Sequence, residues 1–161
     1  MRFLHSLDKI VNRLLQYIVI VMLSIMSLVV FAQVLFRIVH LSIPWSEELS
    51  KYLLIWSTFL GSAICVRRNS LVGLEFFKNS MSKEKQRIIQ TFLNIIVCII
   101  LIFLIKVGFW AVSKVWFQIT PVLKQSMGLM YAAIPVGAVF MLINQIIVTV
   151  YLWKGEEKAW Q

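Results

Sequence analysis

The chain is 161 residues long, 60% apolar and 14% charged, with 16 Lys and Arg against 7 Asp and Glu and a formal net charge of +9. An ordinary soluble domain has about 25% charged residues, so this composition, with a mean hydropathy of +0.86, excludes disorder and a fibrous protein and argues against a soluble enzyme. It is the composition of an integral membrane protein.

At the N-terminus Leu4, Leu7, Val11 and Leu14 recur at helical spacing, while Arg2, His5, Lys9, Asn12, Arg13 and Gln16 fall elsewhere. That pattern fits an amphipathic helix on the membrane surface, or equally a first transmembrane helix that protrudes from it. The uncharged run Leu14–Phe36 follows. At 1.5 Å per residue it makes a helix of about 34 Å, enough to cross a hydrocarbon core of about 30 Å. The run is longer than the apolar core of a signal peptide and lacks an A-x-A cleavage site, so it is expected to stay attached.

A second span is expected over 45–66. Glu47, Glu48 and Lys51 occupy its first turns, so only Tyr52–Val66 is uncharged and the polar end must lie at the interface. Pro44 suits the first turn of a helix, where carboxylates meet the positive end of the dipole and Lys51 lies within ion-pair reach. Charges that neutralise one another at a helix end, or a partner-binding role, both account for this group.

The stretch 67–87 is too apolar for a solvated linker, with Leu71, Leu74, Phe76, Phe77 and Met81, yet too charged for a span. An interfacial loop is predicted, with Ser82 as N-cap of the next helix. Spans over 88–112 and 127–151 complete the chain, Lys106 and Lys114 being placed to snorkel to headgroups. Pro135 either kinks the last helix or sits in its early part.

Lys and Arg number eleven on the side of the two termini and the middle loop, against five on the other (Arg37, Lys51, Lys106, Lys114 and Lys124). The termini are therefore expected in the cytoplasm. Arg2, Lys9, Arg13, Arg67 and Arg68 are the candidate headgroup contacts on that side. The aromatics Trp45, Tyr52, Trp110, Trp116 and Phe117 mark the opposite boundary, and Tyr151 and Trp153 the near one. The predicted fold is a single all-α membrane domain over 1–161, with four transmembrane helices, both ends inside, and an interfacial N-terminal segment.

Site chemistry is sparse. His5 and His40 both fall outside the predicted hydrocarbon core, which argues against a bis-histidine haem, and Cys65 and Cys98 have no CxxC spacing. Asp8 is the sole aspartate, so no catalytic triad can be assembled in the bilayer, and no enzymatic activity is expected. The basic residues lie between apolar runs, without the exposed stacking aromatics a nucleic acid would need. A proton-coupled exporter would need a carboxylate near mid-membrane, and the first span has none. Ser24, Ser27, Gln33, Ser57, Thr58, Ser62, Asn94, Asn144 and Gln145 suit helix packing better than conduction, and Gly61, Gly128 and Gly137 permit close helix approach.

The segment from Trp45 through Glu47-Glu48, Lys51-Tyr52-Leu53 and Trp56 to Phe59-Leu60-Gly61 resembles the signature of the small membrane subunit of tripartite ATP-independent periplasmic (TRAP) transporters, the DctQ-like family. Arg67-Arg68 followed by an apolar interfacial stretch, and Thr120-Pro121-Val122-Leu123 through Gly128-Leu129-Met130-Tyr131 to Pro135, are also similar to that family, in the same order. Where the family often has a His after the basic pair and an Asp beyond it, this chain has Asn69-Ser70 and Glu75. The resemblance implies a subunit of the bacterial inner membrane that accompanies a large multi-span permease. In such a system a periplasmic binding protein delivers an organic acid, of the sialic acid or C4-dicarboxylate class. Sodium is then expected at the large subunit and no cofactor in this chain. It also makes Trp45, Glu47, Glu48, Lys51, Tyr52, Trp56 and Gly61 candidate partner contacts. Without it, a self-sufficient four-helix exporter or a structural membrane protein stays open.

Overall fold

The computed structural model describes residues 2–41, 43–67 and 83–154. All its regular elements are helices: α1 (Arg2–Ile38), α2 (Pro44–Arg67), α3 (Lys83–Val115), the short α4 (Met127–Tyr131) and α5 (Ala133–Lys154). Four helical stretches are long and apolar enough to cross a membrane: Ile10–Ile38, Pro44–Arg67, Ile88–Val115 and Met127–Val150. Each contains or nearly contains the span expected from the sequence.

No glycine or proline interrupts residues 2–38, and α1 runs unbroken through both the amphipathic segment and the first span. The N-terminal segment is thus continuous with the transmembrane helix, the second of the two alternatives the sequence allows. It ends at a Schellman turn: His40 takes a left-handed φ of 60°, its N–H bonds the Arg37 carbonyl at 3.1 Å, and the Leu41 N–H reaches back to the Phe36 carbonyl at 3.0 Å. Pro44 then opens α2, and in its first turn the Ser46 hydroxyl donates to the Ile43 carbonyl at 2.6 Å.

Pro135 lies in the first turn of α5 rather than at a mid-helix kink. It has no N–H to offer the Tyr131 carbonyl. The backbone still bonds on either side, Ala132 N–H to Gly128 at 2.8 Å and Val136 N–H to Ala132 at 3.2 Å, so α4 and α5 together make the fourth span.

The helices are chained by packing in the order α1, α2, α5, α3. Among the described residues α1 and α3, the two ends of that order, have no substantial contact, so the spans form an open row rather than a closed bundle. The buried core lies along the middle of the row: Ala63 and Val66 of α2, Ala138 and Met141 of α5 and Leu101 of α3. Small residues set its tightness. A Cβ on Gly137 would stand 2.5 Å from the Phe59 Cβ, and one on Gly108 would stand 2.8 Å from the Pro135 ring, so α5 lies directly against both neighbours. At the edge, the most apolar part of α1 buries none of its residues within the chain.

The mild polar residues are absorbed locally. The hydroxyls of Ser57 and Thr58 donate to the Leu54 carbonyl, and that of Ser62 to Thr58, bonds within one helix that need no water. Between helices, Asn94 Nδ2 donates to Thr149 Oγ1 at 3.0 Å and joins α3 to α5.

Candidate functional site

Glu48, Tyr52 and Trp56 stand four residues apart and therefore on one stripe of α2. The first two reach the loop between α3 and α4, and the third reaches α4 itself. The two carboxylate oxygens of Glu48 accept the Val122 N–H at 3.0 Å and the Leu123 N–H at 2.7 Å. The Tyr52 hydroxyl donates to the Ser126 carbonyl at 3.0 Å, and Trp56 Nε1–H to the Leu129 carbonyl at 3.1 Å.

The loop so gripped is a small hairpin closed by an antiparallel bridge between Ile119 and Ser126. Thr120 N–H bonds the Gln125 carbonyl at 2.9 Å, Met127 N–H bonds the Gln118 carbonyl at 2.8 Å, and Lys124 takes the left-handed φ of 53° that the turn requires. Ser126 caps α4, accepting the Gly128 N–H at 3.0 Å while its hydroxyl donates to the Trp116 carbonyl at 2.5 Å.

Glu47 points the other way. Its Oε1 accepts from Gln33 Nε2 at 3.2 Å and ties α2 to α1. The acidic pair thus divides its work between α1 and the hairpin, which sequence spacing within α2 gives no means of reading. Lys51 is exposed and attracts the Glu48 carboxylate through space, as its spacing suggests, while backbone amides donate the hydrogen bonds of 3.0 and 2.7 Å to that carboxylate.

Toward the other end of the spans, the side-chain amides of Asn12 and Asn144 exchange hydrogen bonds of 3.2 and 3.1 Å, and Asn144 Nδ2 also donates to the Ala63 carbonyl at 2.8 Å. One side chain of α5 thereby joins α1 and α2. Asn12 was legible as the polar face of an amphipathic helix, but not as a partner of Asn144.

Of the remaining predicted contacts, Trp45 is exposed, and Gly61 has open space where a Cβ would stand, so it makes no close helix approach among the described residues. Arg13 is exposed, whereas Arg67 is buried at the end of α2. Arg68, residues 68–82 of the expected interfacial loop with Ser82, and the side chains of Arg2 and Lys9 lie outside the described residues. Among the described residues no three of His, Cys, Asp and Glu come together as a metal site would need, and Cys65 and Cys98 are free thiols.

The arrangement is one of ties between elements, with one end of the spans fastened by carboxylates and the other by amides. Residues 26–155 match the family of tripartite ATP-independent periplasmic transporters, DctQ component. The chain belongs to this family. A Haemophilus influenzae relative assigned to the TRAP transporter small permeases is 29% identical over 165 residues, covering 96% of this chain and 99% of the relative. The sialic acid TRAP transporter small permease protein SiaQ of Vibrio cholerae is 28% identical over 144 residues, 89% of this chain and 83% of the relative. The sialic acid TRAP transporter permease protein SiaT of Haemophilus influenzae is 29% identical over 119 residues, which are 73% of this chain but 19% of that longer protein. The chain is therefore a TRAP small permease subunit, a multi-pass protein of the inner membrane whose partners are a large permease subunit and a periplasmic binding protein. The family is one of transporter components rather than of enzymes.

Proposed function

We propose that this subunit serves a sodium-coupled importer of an organic acid of the sialic acid class, and that within it the chain is a membrane scaffold rather than part of the transport path. The observation that carries the scaffold reading is the open row of helices with its polar groups tied to one another: Asn144 to Asn12 and Ala63, Asn94 to Thr149, Glu48 to the hairpin. A carrier needs polar groups that exchange partners with cargo or ion. A row fixed by static ties instead supplies a wall against which a moving transport domain can slide. The bias of basic residues supports an orientation with both termini in the cytoplasm and the hairpin in the periplasm.

The sialic acid class is supported by the names of two relatives, SiaQ and SiaT. The C4-dicarboxylate class is the alternative from the family resemblance. Vesicles containing this chain, its large subunit and an imposed sodium gradient, supplied with the binding protein, test both points. The expected result is accumulation of labelled sialic acid that collapses with the gradient and is not competed by succinate. Uptake indifferent to sodium, or specific for a dicarboxylate, overturns that part of the reading.

A further inference from the structure

The hairpin between α3 and α4 combines three properties. It is apolar on its outside: Phe117 is 89% exposed and Ile119 64%, and they continue the aromatic end of α3, where Trp110 is also 64% exposed. It carries amines, Lys114 before it and Lys124 at its turn, both exposed, with the Lys114 Nζ lying 5.8 Å from the centre of the Trp110 ring. Most of its amides are satisfied within the chain, those of Gln118, Thr120, Val122, Leu123, Gln125 and Met127 all having acceptors there.

The third property discriminates. A turn that projects into water can leave its amides to the solvent, whereas backbone placed in a lipid boundary must bring its own acceptors. The amides of Val122 and Leu123, at the tip, receive theirs from a carboxylate on another helix, Glu48. Exposed aromatic and branched side chains flanked by long amines are, in turn, the composition that settles among headgroups, with rings at the acyl boundary and amines on phosphate oxygens.

We propose that this hairpin is an interfacial anchor, which seats Phe117 and Ile119 at the top of the acyl chains, with Lys114 and Lys124 on the phosphates of anionic phospholipids, and that Glu48 is the positioning residue that makes the backbone fit for that place. The proposal concerns membrane seating and does not depend on the cargo.

The test uses the complex with the large subunit in phosphatidylethanolamine–phosphatidylglycerol vesicles. Cys65 and Cys98 are replaced by alanine, and a cysteine at Phe117 (F117C) carries an environment-sensitive fluorophore. Position 117 is almost fully exposed, so the label leaves packing undisturbed. The expected result is blue-shifted emission, lost on adding lipids spin-labelled near the headgroup and insensitive to aqueous iodide. It weakens when phosphatidylglycerol is replaced by phosphatidylcholine, and Glu48→Ala shifts it back toward the red. Red emission quenched by iodide overturns the proposal in favour of a hairpin in water. Emission shielded from both quenchers, and opened to one of them when the large subunit is omitted or the binding protein withheld, overturns it in favour of a protein partner.

Discussion

Asn12 and Asn144 are 132 positions apart in sequence, yet their side-chain amides pair reciprocally at 3.2 and 3.1 Å. The pair fixes the height of α1 against α5, although the two helices are separated in the row by α2. Gln33 and Glu47 hold α1 again nearer its other end, at 3.2 Å. Between these two ties the helix lies on α2 through apolar contacts that lipid could replace at little cost, because hydrocarbon gives no hydrophobic driving force between spans.

Asn144→Ala removes three hydrogen bonds between helices. At about 0.6 kcal/mol for each such bond, the variant should lose about 2 kcal/mol of stability in micelles or bilayers. A double-mutant cycle with Asn12→Ala should return a coupling of about 1 kcal/mol, since the two residues share two of the bonds. Additive effects would show that the pair does not hold α1.

The four spans were legible because a run such as Leu14–Phe36 admits no other reading. The order of the helices in the row was not, because each span shows hydrocarbon side chains all round and nothing in its periodicity separates lipid from protein. Gly137 was readable as a site of close approach, and Phe59 lies against it; Gly61, on the same reasoning, has open space. Glu48 was singled out as a helix-end charge with Lys51 for a partner. Its hydrogen bonds go to amides 74 and 75 residues away, a distance at which pattern reading has no purchase.

The two glycines give opposite predictions. Gly137→Val drives a branched side chain into Phe59 and should cost about 1–3 kcal/mol, seen as a lower unfolding midpoint of the isolated subunit. Gly61→Ala adds a Cβ with no atom of the described residues within 4 Å and should leave the isolated subunit within about 0.5 kcal/mol of the parent. If Gly61 faces a helix of the large subunit, as the family signature implies, the same variant should reduce recovery of that subunit in a pull-down. Undiminished recovery would place Gly61 against lipid.

Glu47 and Glu48 are likewise separable. Glu48→Ala leaves the Val122 and Leu123 amides without their acceptors and should speed their hydrogen exchange, while Glu47→Ala releases only Gln33 and should leave the hairpin unchanged. Charge reversal at both positions tests docking: impaired assembly with a rigid hairpin would assign Glu47 to a partner, and impaired assembly with a mobile hairpin would trace the defect to Glu48.

The first turns of α1 extend the helix beyond the first span. On the scaffold reading they brace the subunit against tilt. Removal of residues 2–10 should then lower uptake while leaving capture of substrate by the binding protein intact, measured by calorimetry on the soluble component. Unchanged uptake would deny the segment that role.

The scaffold claim is tested most directly by sodium-driven uptake in vesicles holding the large subunit with the binding protein supplied, compared with and without this chain. Uptake should require the chain, and the number of sodium ions moved per substrate should be the same with Glu47→Gln or Glu48→Gln as with the parent. Full uptake by the large subunit alone, or a sodium stoichiometry altered by either substitution, would contradict the account.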